Sequence, residues 1–141
     1  MKKVFLVFVF LVLAVVSISL VFGRQPMDGY ILEHEQDLAK DEPPPHNGVG
    51  RSTAYSFFTK APGLKMTFRK RVLKKGATIG YHPQHDDEIY YVVSGTGIMR
   101  MNNDSFAVKS GDGILTRPGN SHSLLQTGND DLVVIINYLA K

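Results

Sequence analysis

Two stretches far apart in the chain carry the residues that could do chemistry. Gly76 to Gly95 reads GATIGYHPQHDDEIYYVVSG, and Gly111 to Gln126 reads GDGILTRPGNSHSLLQ. Each offers imidazole or carboxylate groups beside turn-forming glycines. A small β-barrel needs that combination to aim side chains from separate strands at one shared ion. With only nitrogen and oxygen donors on offer, selection of a soft metal is excluded, while iron(II), manganese, zinc and nickel all remain compatible. The chain has no cysteine, so it has no thiolate site, no disulfide framework and no cysteine for a lipid anchor.

The elements that must position these groups read as short strands. Beyond Gly50, runs rich in Val, Ile, Tyr, Phe and Thr alternate with Gly, Pro, Asn and Asp at the spacing of an all-β domain. Strands are predicted near Thr53–Thr59, Lys65–Leu73, Thr78–His82, Glu88–Ser94, Gly97–Asn102, Ser105–Val108, Gly113–Thr116, Ser121–Gln126 and Leu132–Tyr138. Asn102-Asn103-Asp104 fits a tight hairpin turn, because Asn and Asp tolerate positive φ. No long 3.6-residue period appears after residue 50. Closing so many short strands on one another removes open edges, which favours a barrel or jelly roll.

Ahead of that domain lie two segments of different character. Lys2 and Lys3 precede an unbroken apolar run from Val4 to Phe22, followed by Gly23 and the polar Arg24-Gln25-Pro26. This is the order of a secretory signal, so residues 1–23 are expected to be a signal peptide or, left uncleaved, a membrane anchor. Either places the remainder outside the cytoplasm, secreted or periplasmic. Lys2 and Lys3 account for two of the 16 basic residues, so the part from Arg24 onward keeps 14 against 13 acidic. Its charge is therefore nearly balanced. Arg69-Lys70-Arg71 with Lys74-Lys75 reads as the solvated face of a strand, and no nucleic-acid partner is expected.

Residues 24–50 read as a peripheral arm, acidic at Glu33-His34-Glu35-Gln36-Asp37 and then fixed in an extended path by Pro43-Pro44-Pro45. Asn47-Gly48 ends it with a turn. Its His34 and His46 are read as solvated. The domain proper is placed at residues 51–141.

Residues 50 to 138 resemble the cupin family, small single-domain double-stranded β-helix barrels of the RmlC-like jelly-roll type. The resemblance rests on two motifs. In the first, five residues separate Gly76 from His82, five separate His82 from Glu88, and six separate Glu88 from Gly95. In the second, Gly111, Gly119 and His122 fall in place, and fifteen residues separate the motifs. The chain departs from the family pattern at Gln84, where a second histidine is expected and His85 follows instead. It departs again at Arg117, a proline position, and at Gln126, an asparagine position.

The resemblance implies a divalent metal held by His82, Glu88 and His122. The fourth ligand is Gln84 or, alternatively, His85. His82 and Gln84 share a strand face, which favours Gln84, whereas His85 needs a bulge at Pro83 or a turn at Asp86-Asp87 to join them. A metal-free barrel, with the same groups hydrogen-bonded in its pocket, is the rival reading. Glu88 and Tyr90 are the candidate catalytic groups, Glu88 to move a proton and Tyr90 to donate to an oxyanion. Met99 and Met101 are read as core filler, and Gln126 shares parity with His122.

Two functions are compatible with this reading. One is an extracytoplasmic metalloenzyme of dioxygenase, isomerase or lyase type acting on a small oxygen-rich molecule; the other is a non-catalytic module that binds a metal or small ligand. Ile89, Tyr91 and Val93 make the second face of their strand apolar too, which implies a covered exterior and a homodimer.

Overall fold

The computed structural model describes residues 29–140. The expected signal or anchor segment lies outside the described residues; among them, no helix is long and apolar enough to cross a membrane. A single turn of 3-10 helix, Glu35–Asp37, is followed by ten strands: β1 (Lys40–Glu42), β2 (Ser52–Phe57), β3 (Met66–Leu73), β4 (Thr78–Pro83), β5 (Glu88–Ser94), β6 (Thr96–Met101), β7 (Asp104–Lys109), β8 (Gly113–Thr116), β9 (Ser121–Gln126) and β10 (Leu132–Leu139). The predicted strands match β2 to β10 to within two residues at every end. The short acidic β1 was not expected, because it carries no apolar alternation for a sequence pattern to register.

The strands form two antiparallel sheets, a six-stranded one in the order β1-β2-β3-β10-β5-β8 and a four-stranded one in the order β4-β9-β6-β7. This is the all-β jelly roll that the spacing predicts. Period-2 alternation sends Leu73, Ile79, Tyr90, Val92, Met99, Leu124, Leu132, Val134 and Ile136 into one core cluster between the sheets. The outward positions of β5, Ile89, Tyr91 and Val93, are about half exposed, as is Leu115, which pairs with Ile89 across β8. The hairpin between β6 and β7 turns at Asn102, the residue that adopts φ 52°.

The basic cluster on β3 does not form a solvated face. Arg69 and Arg71 share the inward parity of Leu73, and Arg71 is only 2% exposed. Its Nη1 donates to Ser52 Oγ at 2.8 Å and its Nη2 to Glu42 Oε1 at 2.7 Å, so a guanidinium in the core is satisfied by β2 and by the arm. That hydrogen bond to Arg71 holds the Glu42 carboxyl below its usual range despite partial burial. Lys70 alone of the three points out, over the Tyr55 ring and against Glu35.

The arm is joined to the barrel at two places. β1 pairs with β2 from Lys40↔Ala54 to Glu42↔Ser52. Farther on, residues 45–49 dock on β4: the Gly80 amide donates to Pro45 O at 3.1 Å, the Thr78 amide to Val49 O at 2.9 Å, and the Val49 amide to Thr78 Oγ1 at 2.9 Å. The approach is so close that a Cβ at Gly80 would lie 1.9 Å from His46 O, and one at Gly48 would lie 2.0 Å from Thr78 O. Backbone rather than a pliable side chain would have to yield in both cases. Gly80→Ala is therefore expected to destabilise the fold by about 1–3 kcal/mol, the usual range for overpacking. Urea denaturation checks this, and an unchanged midpoint would mean that the arm is not docked as described.

Candidate metal centre

β4 and β9 place the two histidines. They pair antiparallel with His82 opposite His122, after a register shift between Ile79 and His82 that bends β4 at Gly80 and Tyr81. The rings lie 4.3 Å apart between centroids at an interplanar angle of 58°. Glu88 opens β5, paired with Thr116 on β8 and Tyr138 on β10, and Thr116 Oγ1 donates to its carbonyl at 3.2 Å. Three strands thus converge. One ligand atom each from His82, Glu88 and His122 lie within 4.8 Å of one another, and all three residues are buried.

The His82 tautomer follows from its partner. Nδ1 lies 2.8 Å from the Gly80 carbonyl oxygen, which can only accept, so Nδ1 carries the proton and Nε2 carries the lone pair. Burial lowers the His82 pKa from its ordinary value, partly opposed by that hydrogen bond, and the nearby His122 lowers it further. A neutral imidazole, oriented through its other nitrogen by a backbone carbonyl, is the arrangement that metal-ligating histidines use.

His122 and Glu88 show what the cluster lacks. His122 Nε2 is 3.3 Å from Glu88 Oε2 and 3.1 Å from Tyr90 Oη. Among the described residues, buried Glu88 Oε2 and His122 Nδ1 have no hydrogen-bond partner. A carboxylate oxygen taken out of water without a donor is costly, and a cation between the carboxylate and the two imidazoles would satisfy it. The residues present therefore fit a divalent ion with nitrogen and oxygen preferences.

The remaining expected site residues separate clearly. Gln84 is half-buried and lines a cavity beside His82 and Glu88; its backbone is pinned to the second motif by its amide donating to Asn120 O at 2.7 Å and its carbonyl accepting from Gly119 N at 3.1 Å. Its side-chain Nε2 donates to Asp86 O at 2.6 Å, which leaves Oε1 as the end with a lone pair to offer an ion. His85 lies at the cavity rim, exposed, and is not among the clustered ligand atoms. Tyr90 is buried against His122, and burial, followed by the Glu88 charge and hydrogen bond, pushes its pKa well above 10. Its hydroxyl is thus a standing hydrogen-bond donor rather than a group that gives up its proton.

Two motif departures prove structural. Arg117 Nε pairs with Asp87 Oδ1 at 2.8 Å, tying the two motif loops together. Gln126 is buried away from the cavity, where Oε1 accepts from Gly76 N at 2.7 Å and Nε2 donates to Gly128 O and Asp130 O. Met99, fully buried in the core, is filler as expected.

His82 and Glu88 line a cavity of about 290 Å³, with His122 buried behind them. Arg69, Arg71, Gln84, Tyr90 and Tyr138 line it, and so does His46 of the arm. His46 is not solvated as expected: its ring stacks on His82 with centroids 3.5 Å apart and planes within 4°. Burial first, and the neighbouring His82 next, lower its pKa from the ordinary value. The signal that could have flagged it is the rigid Pro43-Pro44-Pro45 path running straight into the Asn47-Gly48 turn, which fixes where the intervening histidine goes.

Comparison with known proteins agrees with this architecture. A family model described as a cupin domain matches residues 70–138. An oxalate-binding protein of Thermotoga maritima is 38% identical over 66 residues, covering 46% of this chain and 54% of that protein. An uncharacterized protein of Methanocaldococcus jannaschii is 31% identical over 74 residues, covering 52% of this chain and 59% of that protein. The matches thus span little more than half the length of these curated relatives. A crystal structure described as a predicted oxalate decarboxylase from Thermotoga maritima superposes with a TM-score of 0.72 at 25% identity, covering 79% of this chain and all of that one.

Metal analysis of variants tests the assignment. His122→Ala should lose most bound divalent metal while the barrel stays folded by circular dichroism. Gln84→Ala should weaken affinity about tenfold or more, whereas His85→Ala should leave it within about twofold. Full metal retention in His122→Ala would remove the site, and the reverse order for Gln84 and His85 would exchange the fourth ligand.

Proposed function

We propose a metal-dependent carboxylate-capturing function for this chain, whose residues 70–138 belong to the cupin family. One observation carries the reading: His82 and Glu88, whose ligand atoms converge with that of the buried His122, line a cavity that also contains two arginines, Arg69 and Arg71. A divalent ion there contributes positive charge and positions at which a ligand's oxygens can bind.

The chain's own residues supply the rest. Arg71 is already committed to Ser52 and Glu42. Among the described residues, Arg69 donates a side-chain hydrogen bond only through Nε, toward Ser56 Oγ at 3.0 Å, so its Nη donors are the ones suited to a carboxylate. Tyr90, its hydroxyl already bonded to His122, and Tyr138 also line the cavity. A small dicarboxylate can therefore place one carboxylate at the metal and present the other to Arg69. Oxalate is the first candidate, since the similar Thermotoga maritima proteins are an oxalate-binding protein and a predicted oxalate decarboxylase.

Capture without turnover is the better supported form. Glu88 cannot serve as both ligand and proton carrier, and Tyr90 is held protonated by its burial and by Glu88. The fold itself hosts both binding and catalysis.

A second copy of this chain is the proposed partner, seated on the exposed apolar positions Ile89, Tyr91, Val93 and Leu115. Sedimentation as a monomer at micromolar concentration would remove it from the proposal.

Calorimetric titration of oxalate into the manganese-loaded protein checks the main reading. Binding is expected only with metal present, and Arg69→Ala should weaken it about tenfold or more, the cost of a lost charged hydrogen bond. Metal-independent binding, or an Arg69→Ala variant as tight as wild type, would overturn it. Release of carbon dioxide with formate from the same mixture would replace capture by decarboxylation.

A further inference from the structure

His46 lies outside the segment that matches the cupin model, in the arm, and nothing in the two motifs calls for it. Its position is nevertheless built with care. His46 and Asn47 both adopt φ 57°, the left-handed region that costs most residues free energy and that His and Asn tolerate better than most. The flanking backbone is held to β4 by the Pro45–Gly80 and Val49–Thr78 hydrogen bonds. Gly48 and Gly80 are the residues that allow contact this close, since a side chain at either would collide with backbone.

The product of these constraints is the ring stack on His82, centroids 3.5 Å apart and nearly parallel. Aromatic pairs left to themselves settle about 4.5–7 Å apart, offset or edge to face. The closer contact is therefore imposed by the docked backbone rather than chosen by the rings. Besides a tilted contact with the His122 ring at 4.3 Å, the His82 ring is restrained by the hydrogen bond from Nδ1 to Gly80 O, which sets the tautomer but permits tilting about that bond. A flat surface against the ring face removes the tilt.

We propose that His46 is a positioning residue for the metal centre, its ring holding the His82 imidazole in the plane that aims Nε2 at the point shared with Glu88 and His122. It acts through its ring face, not through a nitrogen, and is not among the residues whose ligand atoms cluster. The arm thereby becomes a working part of the site. This inference rests on the metal-binding reading above.

Two variants separate the face from the nitrogens. His46→Asn removes the ring but suits positive φ, and His46→Phe keeps a stacking face without nitrogens. With cobalt(II) as probe, competition against a chelator should show His46→Asn binding about tenfold or more weaker than wild type, and His46→Phe within about threefold. An unchanged His46→Asn would overturn the proposal, and a His46→Phe as weak as His46→Asn would make His46 a ligand instead. In the metal-free proteins, nitrogen-15 spectra should show the His82 ring as rigid in wild type and His46→Phe and as broadened by ring motion in His46→Asn, with the Nδ1–H tautomer retained in all three. If wild type binds no cobalt, the metal reading fails, and the nitrogen-15 spectra alone decide whether His46 holds His82; an unaltered His82 signal in His46→Asn would show that it does not.

Discussion

A carboxylate buried beside two imidazoles, with one oxygen lacking any hydrogen donor, is the constraint around which this barrel is arranged. Glu88 Oε2 lies 3.3 Å from His122 Nε2, and neither that oxygen nor His122 Nδ1 has a hydrogen-bond partner among the described residues. Desolvating such a group costs several kcal/mol when nothing compensates. A fold retains that arrangement where a cation or ligand completes it. The surrounding features are consistent with this: a neutral His82 oriented by a backbone carbonyl, a Tyr90 hydroxyl kept protonated, and a Gln84 amide whose nitrogen is already engaged.

The N-terminal arm is tied into the same arrangement by charge and by backbone. Arg71 is buried beside the cavity, and its guanidinium is satisfied only because β1 presents Glu42 and β2 presents Ser52. A buried arginine without partners would be prohibitive, so the arm and the cavity wall stabilise each other. At the other end of the arm, the glycine-permitted docking of residues 45–49 on β4 lays His46 against His82. The segment that matches the cupin model, residues 70–138, thus carries the ligand cluster, while a segment before it completes the wall.

Much of the fold was legible because its signals are local. Alternation in β5, β9 and β10 marked which side chains turn inward, and the glycines at 76, 95, 111 and 119, all at positive φ, marked the turns. The residues least well read were those whose environment comes from distant chain. Arg69 and Arg71 lie in a basic run that resembles any solvated strand, and only the partners Ser56, Ser52 and Glu42 show otherwise. Gln126 shares parity with His122 but lies toward the other end of β9, where it bonds to Gly76, Gly128 and Asp130 instead of lining the cavity.

By itself the sequence determined the element order, the inward parity of His82, Glu88 and His122, and their place in two glycine-bounded motifs, because strand periodicity and turn chemistry depend on near neighbours. Tertiary structure decided the rest. Which strands become neighbours set His82 opposite His122 across β4 and β9, and the bend at Gly80 gave Nδ1 its carbonyl. The docking of the arm converted a histidine in a polar, proline-rich stretch into a ring stacked on a candidate ligand. Such contacts join residues tens of positions apart, and no local pattern specifies them. They follow from how the two sheets close around a polar cluster that must be satisfied from several strands at once.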